Sequence, residues 1–292
     1  MSLLREKRKI AFAMISPSIL VIVAINIFPI IFAVYISLHL WSFGRGEPRF
    51  AGLLNYEDLY YDGRFIDAVF TSAKFVFFAV LVEFLVGFAL AFLFNVKVRG
   101  MATLRQVAVL PIMVMPIVAG LVWFYMFNEN FGVINWLVTL LGAPKVGFLT
   151  DLDVALFSIV LADAWQWTPF VMLVMFAALQ SLPEYVYEAA KMDGLNGWQT
   201  FWRVTIPMLR PSIMIVIILR IVDSFKMIEL VFMMTQGGPA GRTEVLPWYL
   251  YVTGFQGLDL GYAAAIAVCM LIIVTIFTQF FVARIGFGDD QK

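Results

Sequence analysis

The chain has 292 residues, 62% of them hydrophobic and 14% charged, with 20 basic and 20 acidic side chains that cancel. Soluble domains carry roughly 25% charged residues, so this chain has too little polar surface to fold in water. The basic residues form no single stripe, which argues against a nucleic-acid partner, and the lone Cys269 excludes an intrachain disulfide or a thiolate metal cluster.

A helix crossing the ~30 Å hydrocarbon core needs about 20 mostly apolar residues, because only internal hydrogen bonds can satisfy its backbone there. The first such run, 10–38, is free of charge and follows Arg5, Lys7, Arg8 and Lys9. A cleavable signal has an apolar region of only ~7–15 residues and a small-residue cleavage site, so this run is expected to remain as a span. Beyond it, Trp41, Phe43, Tyr56, Tyr60 and Tyr61 read as an interfacial aromatic belt or as a surface that docks a soluble partner. His39, the single histidine, has no second member for a metal site or a His-based triad.

Further apolar runs follow at 69–96 (with Lys74 and Glu83), 106–128 (charge-free), 154–182 (with Asp163), 211–235 and 260–283 (charge-free), the last containing Cys269 as a small buried hydrophobe. The expected fold is all-α: a polytopic membrane protein of six transmembrane helices, forming one domain over 1–292. No internal repeat and no linker divides it. With the N-terminus inside, the cytoplasmic segments hold Arg5, Lys7, Arg8, Lys9, Lys97, Arg99, Arg105, Lys191, Arg203, Arg210, Arg284 and Lys292, against Arg45, Arg49, Arg64, Lys74, Lys145 and Arg242 outside. The excess of Lys and Arg belongs inside, so both termini are expected in the cytoplasm.

The inside connection 181–207 reads as two short helices. Ser181 and Glu184 have capping-box spacing, Pro183 suits a first turn, and Gly194 is a left-handed stop, which predicts a helix over 183–193. Asn196 can cap a second helix with Trp198, Phe201 and Trp202 on one face, ended by Pro207. Ala189 and Ala190 leave room beside Glu188 for another backbone to approach. By shape alone this is an amphipathic hairpin on the membrane surface.

The run Glu188-Ala189-Ala190, three residues, Gly194, nine residues, then Val204-Thr205-Ile206-Pro207 resembles the EAA loop of the permease subunits of binding-protein-dependent ABC importers. Val204 and Ile206 stand where that family more often has Ile and Leu. Thr235-Gln-Gly-Gly-Pro239, the stretch 246–255 and Gly261-Tyr-Ala-Ala resemble the maltose- and glycerol-phosphate-type branch. The resemblance implies that Glu188, Ala189, Ala190, Asp193 and Gly194, backed by Val204, Ile206 and Pro207, dock a cytoplasmic ATPase. It implies further partners: a second homologous permease, two ATPase subunits that hold ATP and Mg²⁺, and an external solute-binding protein. This chain itself has no G-x-x-x-x-G-K-[ST] phosphate loop and needs no cofactor.

Charges within spans are costly, about 2.5 to 3.5 kcal/mol each on the insertion scale, and so mark function or a protein-facing seam. Arg220, Asp223, Lys226 and Glu229 alternate in sign at i, i+3, so helix neighbours are expected to neutralise one another. They read equally as a seam with the partner permease or as a polar wall of the solute route. Asp163 with Trp165, Gln166 and Trp167 offers a carboxylate, an amide and two rings, chemistry suited to a sugar, or else tight helix packing; Glu83 carries a weaker signal. The expected function is a permease subunit importing a carbohydrate or carbohydrate-like solute across the inner membrane of a bacterium or its archaeal equivalent. The rivals are an ion-coupled carrier using the charges of the fifth span, a class that often shows inverted repeats, and an intramembrane hydrolase, for which no matched dyad stands out.

Overall fold

The computed structural model describes residue 12, residues 14–96 and residues 98–285. Arg5, Lys7, Arg8, Lys9, Lys97 and Lys292, counted above toward the cytoplasmic side, lie outside the described residues. Five helices are long and apolar enough to cross a membrane, and a sixth crossing follows if one bent pair counts as one span.

The described residues gather into two compact units. The first runs up to Gly63 and takes in Leu250–Ile273. Its helix α1 (Met14–Ser37) contains a π-helical turn at Val23–Ile27 and leaves most of its apolar side chains on the surface. Such a surface is stable in hydrocarbon or against another apolar chain. A short ribbon follows, β1 (His39–Leu40) antiparallel to β2 (Arg49–Phe50), then α2 (Leu54–Tyr61). Asn55, buried at the start of α2, donates to the carbonyls of Ser37 and His39 at 2.8 and 3.0 Å and so locks the end of α1 to the ribbon. His39 is a buried structural residue whose ring lies 4.3 Å from that of Tyr35 and 5.4 Å from that of Phe50. Tyr60 and Tyr61 are exposed, whereas Tyr56 turns inward to Ser37 Oγ at 2.6 Å.

The second unit comprises Arg64–Tyr249 with the chain from Val274 onward. Its long helix α3 (Gly63–Phe94) begins six residues earlier than the apolar run predicted, because Arg64 and Asp67 extend the helix beyond the hydrocarbon-length segment. The third span is not one straight helix over 106–128. It is a pair, α4 (Met101–Met113) and α5 (Pro116–Met126), bent by 97°. Proline supplies the cause: Pro116 forces Met115 out of the helical region to φ −61°, ψ 135°, and Val114 is extended as well. After α6 (Val133–Leu140) comes α7 (Ala155–Gln180), the predicted fourth span, with Pro169 inside it.

The hairpin over 181–207 departs from expectation in two ways. Its first helix, α8 (Glu184–Met192), starts at Pro183 without a side-chain cap, since the Ser181 hydroxyl donates back to the Ala178 carbonyl instead. Gly194 adopts φ 74°, the left-handed stop the sequence suggested. Asn196 and Gln199 form a capping box with 2.9 and 3.0 Å bonds, but the helix they open does not end at Pro207. It continues as α9 (Gly197–Phe225), because a π-helical turn at Phe201–Thr205 precedes Ile206 and Pro207 falls at the opening of a fresh α-helical segment, where its missing N–H is tolerated.

The predicted fifth span, 211–235, is consequently displaced: α9 stops at Phe225, and a separate short helix, α10 (Glu229–Met234), follows. Next are α11 (Leu246–Tyr251) and α12 (Leu260–Ile285), which covers the predicted sixth span. The interior of this unit is the meeting of α3, α7 and α9, where Ala91, Val171, Met175, Leu179, Leu209 and Val216 form an apolar core. Gly87 permits it: a Cβ there would lie 2.7 Å from Val171 Cβ and 2.9 Å from the Thr168 carbonyl oxygen, so the backbones of α3 and α7 approach as only a glycine allows.

Candidate functional site

A cluster of charges is buried where the three long helices meet. Arg220 of α9 is 1% exposed and donates from Nε to Glu83 Oε2 at 2.5 Å and from Nη2 to Glu83 Oε1 at 2.7 Å. The same Nη2 reaches Asp163 Oδ2 on α7 at 3.0 Å and Ser224 Oγ at 3.1 Å. Its guanidinium lies 4.7 Å from the centre of the Trp167 ring. One cation therefore ties α3, α7 and α9 through charge-assisted bonds, in a medium where an unpaired charge is prohibitive.

This corrects the expected pairing along the fifth span. Arg220 turns to two other helices, and Glu229 sits on α10, where its Oε2 accepts the Ile228 N–H at 3.1 Å. Only Lys226 and Asp223 pair as neighbours, at 3.2 Å, and both are open, at 59% and 48% exposure. A surface pair of that kind contributes about 0–1 kcal/mol and holds no helices together. Glu83, the weakest signal in the sequence, is the central acceptor; a lone carboxylate in an apolar run must find a cation, and that was the available clue.

Beside the cluster is a cavity of about 260 Å³ lined by Asp163, Gln166, Trp167, Arg220, Asp223, Ser224, Lys226, Glu229 and Pro116 among others. Asp163, Gln166, Trp167, Asp223, Lys226 and Glu229, all expected along a solute route, thus share one cavity. Trp165 points elsewhere and packs 5.9 Å from the Trp123 ring; at 3.6 residues per turn it falls off the face that carries Asp163, Gln166 and Trp167. Gln166 has two tasks. Its Nε2 donates at 2.6 Å to the Val114 carbonyl, set loose where α4 breaks from α5, while its buried Oε1 has no partner among the described residues.

At the other end of α9, the α8 helix carries Glu188 and Ala189 on its exposed side, and Asp193 and Gly194 follow it, equally open. Ala190 is 4% exposed and faces inward, so it seats the helix rather than lying open beside Ala189. Val204 and Ile206 are half-buried on α9, and Pro207 is exposed. Tyr187 Oη and Thr205 Oγ1, 3.3 Å apart, link α8 to α9.

Apolar crossings around a buried polar cluster and its cavity, with a hairpin that runs without interruption into a crossing, define a membrane transport subunit. The chain belongs to the family of binding-protein-dependent transport system inner membrane components, whose model matches residues 64–286. Among its relatives, the trehalose/maltose transport system permease protein MalF of Thermococcus litoralis is 32% identical, over 94% of this chain and 92% of that one. The trehalose transport system permease protein SugA of Mycobacterium tuberculosis is 28% identical, over 98% and 92%. The fold is also that of a solved chain of a bacterial alginate ABC transporter, crystallised in complex with a periplasmic protein carrying an alginate pentasaccharide, with a TM-score of 0.81, 21% identity, and coverage of 94% and 93%. The chain is accordingly a multi-pass inner-membrane permease subunit of an ABC importer.

Proposed function

We propose that this permease imports a carbohydrate or carbohydrate-like solute, with α8 as the handle by which a cytoplasmic ATPase moves it. The continuity of the helix from Gly197 to Phe225 carries this reading. Twenty-nine residues at 1.5 Å each make a rod of about 43 Å, so a tilt imposed at the hairpin is delivered at the polar cluster. Glu188, Ala189, Asp193 and Gly194 offer the ATPase a small surface with two carboxylates, and Ala190, Val204, Ile206 and Pro207 support it. Closure of two ATPases, which bind ATP and Mg²⁺, would rock α9 against α3 and α7 and switch the side on which the route opens.

In this arrangement the whole chain is one membrane domain with both termini in the cytoplasm, and the bent pair α4–α5 forms the third crossing. A second homologous permease completes the route, and an external solute-binding protein delivers the solute. The cavity beside Asp163, Gln166 and Trp167 is the solute-facing wall: the free Gln166 Oε1 would accept a hydroxyl proton, and the Trp167 ring would stack on a sugar face. The names of the relatives, which transport trehalose and maltose, support the solute class. The test is capture of the ATPase by the co-expressed system. Glu188→Lys is expected to abolish capture while membrane insertion stays normal; wild-type capture by this variant would overturn the docking role.

A further inference from the structure

We infer that Glu83 is a positioning residue for solute recognition: from α3 it holds the Arg220 guanidinium, and through it the Asp163 carboxylate and the Trp167 ring on the cavity wall. The inference rests on the solute-route reading of that cavity and adds a residue that does not line it.

The geometry of the guanidinium is the argument. Arg220 presents a planar fork of five donors, and an arginine given a single carboxylate tends to engage it with two parallel bonds. Here Asp163 receives one bond from the fork, through Oδ2, while Glu83 takes the Nε and Nη2 edge with bonds of 2.5 and 2.7 Å. Glu83 is wholly buried, Ser224 takes a further bond at 3.1 Å, and the flat of the fork rests 4.7 Å from the Trp167 ring centre. Without both Glu83 oxygens as acceptors, that edge is free to swing to Asp163 and close on both of its oxygens. The carboxylate would then be lost to a solute hydroxyl, and the guanidinium would leave its place over Trp167. Arg220 and Asp163 would still tie α9 to α7, and the apolar core of Ala91, Val171 and Leu209 would still hold α3 against them, so what changes is the wall and not the fold.

The experiment uses the complete importer, permeases, ATPases and binding protein together, reconstituted in liposomes and offered labelled trehalose, maltose and glycerol 3-phosphate. Glu83→Gln keeps the shape and removes the charge. It is expected to assemble normally and retain ATP hydrolysis within about twofold, while uptake falls about tenfold or more and ATP consumed per solute rises in proportion. Glu83→Asp, which keeps the charge, is expected to recover uptake to within about threefold of wild type. Two results overturn the inference with the solute reading intact: a Gln variant that transports and couples like wild type, or one in which assembly, ATP hydrolysis and uptake decline in parallel, the mark of a merely structural tie. Failure of the wild-type importer to take up any of the three solutes overturns the carbohydrate reading itself, and the inference falls with it.

Discussion

Replacing Arg220 by methionine would remove the one cation from a buried group that contains two carboxylates. Arg220, Glu83 and Asp163 are 1%, 0% and 2% exposed, so little water is at hand to replace the lost bonds. Breaking a buried pair by deleting one partner costs about 3–5 kcal/mol, most of it the burden of the charge left behind. At about 2–4 °C per kcal/mol for a chain of this size, Arg220→Met should lower the melting temperature of the purified complex by roughly 6–20 °C. The informative control is the triple variant Glu83→Leu, Asp163→Leu, Arg220→Met, which removes the whole ionic group; apolar replacement of such a group is often neutral or stabilising. It should melt near the wild type or above it and yet transport far less, since the cavity wall has lost the Asp163 carboxylate and the Arg220 guanidinium. The assay is thermal unfolding in detergent beside uptake in liposomes. An Arg220→Met protein melting within about 2 °C of wild type would refute the reasoning, for it would mean that the three charges are not held dry against one another.

Further tests follow from the packing and the breaks. Gly87→Ala should cost about 1–3 kcal/mol, because its Cβ would lie 2.7 Å from Val171 Cβ and neither backbone can withdraw; the reading is lower thermal stability with a further loss for Gly87→Val. Gln166→Leu removes the partner of the Val114 carbonyl and should cost about 1–3 kcal/mol, measured as faster proteolysis near the α4–α5 break. Lys226→Ala should change stability by less than about 1 kcal/mol, since its pair with Asp223 is open to solvent, so any loss of uptake in that variant reports on the route and not on folding. Asn55→Ala deletes two donations that tie α1 to the ribbon and should cost about 1–3 kcal/mol by thermal unfolding.

The crossings were legible in the sequence because length and apolarity are the physical requirements of a bilayer, and the chain satisfies them in long runs with few charges. The hairpin stop at Gly194 and the Asn196 cap were legible too, since each rests on chemistry local to a few residues. Local reasoning failed where the partner is distant. The i, i+3 spacing of Arg220 and Asp223 is a true pattern on the helix, but carboxylates on two other helices offer the guanidinium a better fit, and nothing in the spacing of residues 83, 163 and 220 announces that they meet. Two prolines show the same limit. Pro116 broke the run over 106–128 that was read as one span, and Pro207 continued a helix that was expected to end, because a π-helical turn at Phe201–Thr205 absorbed it.

The end of α9 at Phe225 is harder still: Ser224, Lys226 and Met227 include no helix breaker, and the chain turns there with the Lys226 N–H shared between the carbonyls of Asp223 and Ser224. Ser224 is bonded to Arg220, so the last turn of the helix is anchored by the same guanidinium that holds α3 and α7. The break is thus a tertiary feature. It releases Lys226 and Glu229 from the helix and lets both line the cavity, which an unbroken α9, spacing them at ~1.5 Å per residue along one rod, would have carried past it. The residue that pins the interior also brings the cavity wall together, and that is why the charges of this span are better understood from their partners on other helices than from their order along the chain.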